Sequence, residues 1–97
     1  MSHGKIDFGE YLHQLRTEHK LSQKKVADKL GIDISMLSKI EHGERQVQSH
    51  MLIPVAELFD LDYRMLQIQF LNQKIENEFG QEPYFFEAVA LLKPNKN

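Results

Sequence analysis

The chain has 97 residues, 41% of them hydrophobic, which fits one globular domain with at most a small appendage. It has no cysteine, which excludes disulfides and thiolate zinc sites, and no apolar run approaches the roughly 20 residues of a membrane span. The net charge of -2 argues mildly against nucleic acid as a partner, but eight of the twelve Lys and Arg residues lie within residues 1–50. Composition therefore predicts a cytoplasmic protein whose basic residues are concentrated in its first 50 residues.

The first two predicted helices are short and amphipathic. Periodicity indicates one helix from about Asp7 to His19. Ser22 is an expected N-cap and Gly31 an expected C′ glycine, which together bound a second helix over residues 23–30. The apolar positions of the two helices are Phe8, Leu12, Leu15, Val26, Ala27 and Leu30.

Two further helices are separated by a polar loop. Asp33 is expected to cap a third helix that ends near Gly43, and residues 44–48 read as a loop. Pro54 cannot donate to the carbonyl four residues earlier, so the fourth helix either is kinked or begins late, near residues 49–50. The late start is favoured.

The remaining chain is also predicted to be helical. A fifth helix is capped by Asp62, runs unbroken to Phe79 and stops at Gly80. Residues 82–83 open a short last helix that runs through Leu92. The fifth helix carries two apolar stripes, Tyr63, Leu66 and Phe70 on one side and Ile68, Leu71, Ile75 and Phe79 on the other. No strand pattern is present, so the expected class is all-α.

Two short helices joined by residues 31–33 are the unit that places one helix in the major groove of DNA. The residues around this turn follow a known pattern, set by Leu21, Ser22, Gln23, Val26, Ala27, Leu30, Gly31, Ile32, Leu37, Ser38, Lys39, Ile40, Glu41 and Gly43. With Leu15-Arg16 before it and residues 55–66 after it, the run resembles the phage repressor/Cro family of helix-turn-helix regulators. Its size and its loop are similar to those of restriction-modification controller proteins.

The resemblance implies a five-helix repressor-like DNA-binding domain over residues 6–66 and a helical C-terminal extension over residues 67–97. It implies a sequence-specific transcription regulator, with a repressor or controller protein as the expected type. Double-stranded DNA is then the principal partner, and no cofactor is expected.

One face of the third helix is expected to meet DNA. At about 100° per residue, Leu37 and Ile40 mark its buried side. The opposite side then carries Ser35, Ser38, Lys39 and His42, flanked by Ile34 and Met36. The resemblance implies base reading by Ile34, Ser35 and Lys39, phosphate contacts by Gln23 and Lys24, and loop contacts by His42, Arg45 and Gln46. This face has no Arg, Asn or Gln for bidentate base contacts, so specificity leans either on Arg45 and Gln46 or on DNA deformability.

Other polar residues are assigned structural roles. Glu41 is about 70° from the centre of the buried side, and we expect it to bond Arg16 or a backbone amide because a carboxylate facing DNA would be repelled. The five histidines include no i, i+4 pair, and neither a phosphate loop nor a nucleophile motif is present. The sequence therefore predicts neither catalytic activity nor a metal site.

The last helix is apolar on nearly all sides, which is unusual for a helix on the surface of a monomer. It either folds back to complete its own core or pairs, with the fifth helix, against a second copy; both can hold. The predicted homodimer interface comprises Ile68, Leu71, Ile75, Phe85, Phe86 and Val89. A dimer would present two recognition helices to a palindromic operator. The alternative is an antitoxin whose C-terminal part binds a toxin protein and whose helix-turn-helix regulates its own operon.

Overall fold

A computed structural model describes residues 7–94 of the chain. These residues form no strand, and their helices are α1 (Phe8–Glu18), α2 (Gln23–Leu30), α3 (Ile34–Glu41), α4 (Leu52–Phe59), α5 (Tyr63–Phe79) and α6 (Phe85–Ala90), with a 3-10 turn at Ser49–Met51 before α4. The predicted all-α class is confirmed. Residue 6, the predicted start of the DNA-binding domain, and residues 95–97, the predicted end of the extension, lie outside the described residues.

Local capping explains the helix-turn-helix. The Ser22 hydroxyl accepts a hydrogen bond from the Lys25 backbone N–H at 3.1 Å and begins α2. Gly31 ends α2 at φ +73°, a left-handed conformation that strains any residue with a Cβ. Asp33 then accepts from the Met36 backbone N–H at 2.7 Å and begins α3. The predicted bounds of α2 are confirmed.

The fourth helix begins late, as predicted from Pro54. The chain forms one 3-10 turn over Ser49–Met51 and becomes α-helical at Leu52. Pro54 therefore stands in the first α-helical turn, where its missing N–H leaves no helical hydrogen bond unmade.

One apolar core joins the first five helices. Its fully buried members, Leu12, Val26, Leu37, Ile40, Leu52 and Val55, come from four different helices. Gly9 allows α1 to pack closely on the end of α3, because a Cβ at residue 9 would overlap the backbone carbonyl oxygen of Ile40. Phe8 contacts Phe70 edge to face, with ring centroids 5.5 Å apart, and attaches α5 to α1. The core therefore fixes the position of the recognition helix α3.

The C-terminal part departs from this pattern. The prediction that the last helix opens at residues 82–83 and runs through Leu92 was wrong at both ends, because residues 81–84 form turns and α6 covers only Phe85–Ala90. No residue of α6 is buried, so α6 does not complete the core. From Leu71 to Pro94 no residue is buried, so the end of α5 and all of α6 contribute nothing to the core. None of the described helices is both long and apolar enough to span a membrane.

Candidate nucleic-acid interface

The outer face of α3 carries the side chains predicted to meet DNA. Leu37 and Ile40 are fully buried, which confirms the predicted inner side of this helix. On the outer side, Ser35 and Lys39 are exposed and Ser38 is half-buried. A Lys side chain on an exposed helix face has the length to reach a guanine edge, and a Ser hydroxyl can bond to either base type.

The two side chains that flank this face differ in their exposure to solvent. Ile34 is 44% exposed at the start of α3, whereas Met36 is half-buried and packs partly against the core. His42 lies just beyond the end of α3, and its Nδ1 is 2.8 Å from the backbone oxygen of Ser38. Ile34 is therefore freer than Met36 to contact a thymine methyl.

The first turn of α2 presents the two predicted phosphate contacts. Lys24 is exposed, and its Nζ lies 3.0 Å from a carboxylate oxygen of Asp28 one turn later. Gln23 is half-buried, and its Nε2 donates to Oε1 of Glu41 at 3.3 Å. That bond fixes the Gln23 amide at the junction of the two helices of the motif, next to the positive end of α2.

Glu41 is the centre of a polar cluster that joins α1, α2 and α3. Its side chain is only 2% exposed. Arg16 donates to it twice, from Nε at 2.7 Å and from Nη2 at 3.1 Å, and the Nδ1 of His13 lies 3.1 Å away. The remaining guanidinium nitrogen of Arg16 donates to the backbone oxygen of Leu21 at 3.0 Å. The prediction that Glu41 bonds Arg16 is thereby confirmed.

The cluster controls the ionisation of its carboxylate. Burial by itself raises the pKa of Glu41, but hydrogen bonds from Arg16, His13 and Gln23, together with the Arg16 charge, outweigh it and hold the pKa below the ordinary 4.5. Glu41 is therefore ionised at neutral pH. Its negative charge is directed at Arg16 and away from the outer face of α3.

The loop after α3 carries Arg45 and Gln46, both exposed. Nζ of Lys74 in α5 donates to Oε1 of Gln46 at 3.1 Å. A groove of about 460 Å³ lies behind this loop, between the start of α1 and the middle of α5. The loop predicted to contact DNA is thus tied to α5, the helix that carries the predicted dimer interface.

Sequence reasoning missed three contacts of this region: that of His13 with Glu41, that of Gln23 with Glu41, and that of Lys74 with Gln46. A signal for His13 was present, because it precedes Arg16 by three residues on one helix and therefore lies on the same face. Lys74 is 28 residues from Gln46, and no local pattern relates the two.

The residues predicted to form a dimer interface lie on two consecutive helices, α5 and α6. Ile68, Leu71 and Ile75 are each 41–43% exposed. In α6, Phe86 is 76% exposed and Phe85 is half-buried against it, with the two ring centroids 4.9 Å apart. Large apolar side chains are thus exposed on both helices of the single chain, and an exposed apolar surface commonly marks an interaction site.

A helix-turn-helix with an exposed, partly basic recognition face defines a class of DNA-binding domain. The sequence model of the helix-turn-helix family HTH_3 matches residues 12–66, more than half of the chain, and the protein belongs to this family of DNA-binding transcription regulators. A comparison with curated proteins found no match to the chain. Residues 7–94 contain no cluster of His, Asp or Glu side chains that would hold a metal ion.

Proposed function

We propose that the protein is a cytoplasmic, sequence-specific transcription regulator that binds a palindromic operator as a homodimer, in the manner of a phage repressor or a controller protein. The observation that carries this proposal is the outer face of α3, on which Ser35 and Lys39 are exposed while Leu37 and Ile40 anchor the opposite side. The buried charge cluster supports it, since Glu41 leaves its negative charge paired with Arg16.

The dimer is supported by the amount of unpartnered apolar surface. Nine large apolar side chains are exposed from residue 68 onward: Ile68, Leu71, Ile75, Phe79, Tyr84, Phe86, Val89, Leu91 and Leu92. If each loses roughly 100 Å² of accessible area, a symmetric pair buries on the order of 900 Å² per protomer. Stable interfaces bury about 800 Å² per partner, so burial of all nine side chains in one interface would be sufficient for a dimer that forms without DNA.

The exposed α6 also favours a second candidate, an antitoxin that binds a toxin protein through its C-terminal part. Antitoxin tails of this kind are commonly polar and disordered before binding. Here Phe85–Ala90 is helical and its neighbours are aromatic. That composition favours a second copy of the chain over a foreign partner.

Binding to duplex DNA is tested by fluorescence anisotropy against genomic fragments at increasing salt. We expect the logarithm of the affinity to fall linearly with the logarithm of salt concentration, because Lys and Arg side chains displace counterions from phosphates. Absence of binding to every duplex at low salt would refute the proposed function.

Base and phosphate contacts are separated by two alanine variants. We expect Lys39→Ala to lower operator affinity by about 1–3 kcal/mol and to relax the preference at one base pair. Arg45→Ala, if it removes a phosphate contact, weakens binding to all sequences about equally. Selection of preferred sites from a random library distinguishes the two, and an unchanged site preference for Lys39→Ala would exclude a base-reading role.

The dimer is tested with the double variant Phe85→Asp with Phe86→Asp. Two charges in the apolar surface should weaken association by at least tenfold, and operator affinity should fall with it, because one helix-turn-helix reads too few base pairs. Sedimentation equilibrium measures the first effect and anisotropy the second. A wild type that stays monomeric at tens of micromolar would refute the dimer, and a variant that stays dimeric would place the interface elsewhere.

A further inference from the structure

Helix α5 has two apolar faces, and only one of them is covered by its own chain. Leu66 and Phe70 face the core and are buried. Ile68, Leu71, Ile75 and Phe79, here called the outer stripe, fall within about 45° of a common direction that is about 165° from the buried side. Each member of the outer stripe is 41–52% exposed.

The spacing of the outer stripe allows it to pack against the outer stripe of a second chain that runs antiparallel to it. Its members are three, four and four residues apart, and interlocking apolar side chains at such spacing are what packed helix pairs require. When two copies of α5 run antiparallel about a point between Leu71 and Ile75, Leu71 of each copy faces Ile75 of the other. Ile68 of each then faces Phe79 of the other, so all four apolar residues find an apolar partner.

The charges on α5 favour the same direction. Arg64, one turn before the outer stripe, is exposed, whereas Glu78 at the far end of the helix and Glu82 just beyond it are also exposed and acidic. None of the three forms an ion pair with another side chain within residues 7–94. In a parallel pair Arg64 would face Arg64 of the second chain, and the acidic ends would face each other. Such like charges repel. In an antiparallel pair Arg64 of one chain lies beside the acidic end of the other.

We propose that two chains pair through the outer stripe of α5 in an antiparallel arrangement, with the twofold axis between Leu71 and Ile75. The inference rests on the proposed function, because it takes a second copy to be the partner of this face. It also locates α6, since the C-terminal end of each α5 then lies beside the first turns of the other. There the exposed apolar side chain of Met65 is available to α6 of the second copy.

The chain has no cysteine, so single cysteines report the arrangement directly. Leu71→Cys and Ile75→Cys are prepared separately, then mixed in equal amounts and oxidised. A disulfide requires Cα atoms within about 7 Å of each other. In the proposed register residue 71 lies opposite residue 75, while the two copies of residue 71 are offset by about 6 Å along the helix. We expect a crosslinked dimer in the mixture and only background in either variant alone.

Gln69→Cys is the matched control, because residue 69 is exposed on the same helix but lies away from the outer stripe. Efficient crosslinking of each single variant to itself would indicate a parallel pair and overturn the proposal. Crosslinking of Leu71→Cys alone would indicate a different register and would also overturn it. A protein that sediments as a dimer but gives no crosslink in the mixture keeps the proposed dimer and refutes this arrangement, whereas a monomer refutes both.

Charge reversal gives a second, independent test. Arg64→Glu is expected to weaken dimerisation about three- to tenfold, because like charges then meet at both ends of the interface. Adding Glu78→Arg to the same chain should restore most of the association. Sedimentation equilibrium at low salt measures both effects, and an unchanged dissociation constant for Arg64→Glu would contradict the antiparallel pairing.

Discussion

The two parts of the described chain, residues 7–70 and residues 71–94, use apolar side chains in opposite ways. Up to Phe70, the large apolar side chains are mostly buried, and they position a polar face that is free to meet DNA. Between Leu71 and Pro94 no large apolar side chain is buried, although the helices continue as far as Ala90. The first part is stabilised by its own core, whereas the second part has an apolar surface that remains exposed in a single chain.

The difference shows that helical periodicity alone does not say what a helix packs against. The outer stripe of α5 has the spacing of a core-facing stripe, and so does the buried stripe on its other side. Only the position of the rest of the chain distinguishes them. A helix with two such faces is suited to join a domain to a partner.

The largest expected effect on the free energy of unfolding comes from a Leu→Ala substitution in the first part, which is compared with the same substitution in the second part. Leu37→Ala opens a cavity at a fully buried position and should lower the free energy of unfolding by about 2–5 kcal/mol at any protein concentration. Leu71→Ala, at a position that is exposed in one chain, should cost less than about 1 kcal/mol at high dilution and more where dimers form. Urea denaturation over a range of protein concentrations measures both. Equal losses of unfolding free energy for the two variants at high dilution would contradict this difference between the two parts of the chain.

An intermediate effect on the free energy of unfolding is expected at the charge cluster around Glu41, in the first part of the chain. The pKa of Glu41 is lowered in the folded protein, so its carboxylate stabilises the fold above the ordinary value of 4.5 and the stabilisation is lost as pH falls through the lowered pKa. Glu41→Gln should reduce the free energy of unfolding by about 1–3 kcal/mol near neutral pH. The difference between wild type and variant should shrink below pH 4.5. A difference that stays constant with pH would show that ionisation of Glu41 does not contribute.

The smallest effect is expected at the surface pair that joins α2 to α4. Nζ of Lys29 lies 3.1 Å from Oε1 of Glu57, and both side chains are substantially exposed. Their coupling energy in a double-mutant cycle with Lys29→Ala and Glu57→Ala should be below about 1 kcal/mol, because solvent screens exposed pairs. Lys25→Ala, on the same helix, serves as the control. A coupling as large as the effect of Glu41→Gln would mean that surface charge stabilises the domain more than burial predicts.

Most of the first five helices was determined by local chemistry, which is why it was predictable from the sequence. Caps act within three residues, so Ser22 and Asp33 could be assigned as helix starts before any tertiary contact was known. Gly31 marks the turn because its left-handed backbone favours a residue without a Cβ. The outer face of α3 followed from the positions of Leu37 and Ile40 alone.

The tertiary structure decided what depends on distant parts of the chain. The environment of Gln23 is set by Glu41, 18 residues away, and that of Gln46 by Lys74, 28 residues away. The need for glycine at residue 9 follows from the approach of Ile40 and from nothing in its own helix. Residues 82–84 were predicted to be helical because Pro83 suits a first turn, yet α6 begins only at Phe85. Because no residue of α6 is buried in the core, the apolar pattern that predicted this helix did not determine where it begins and ends.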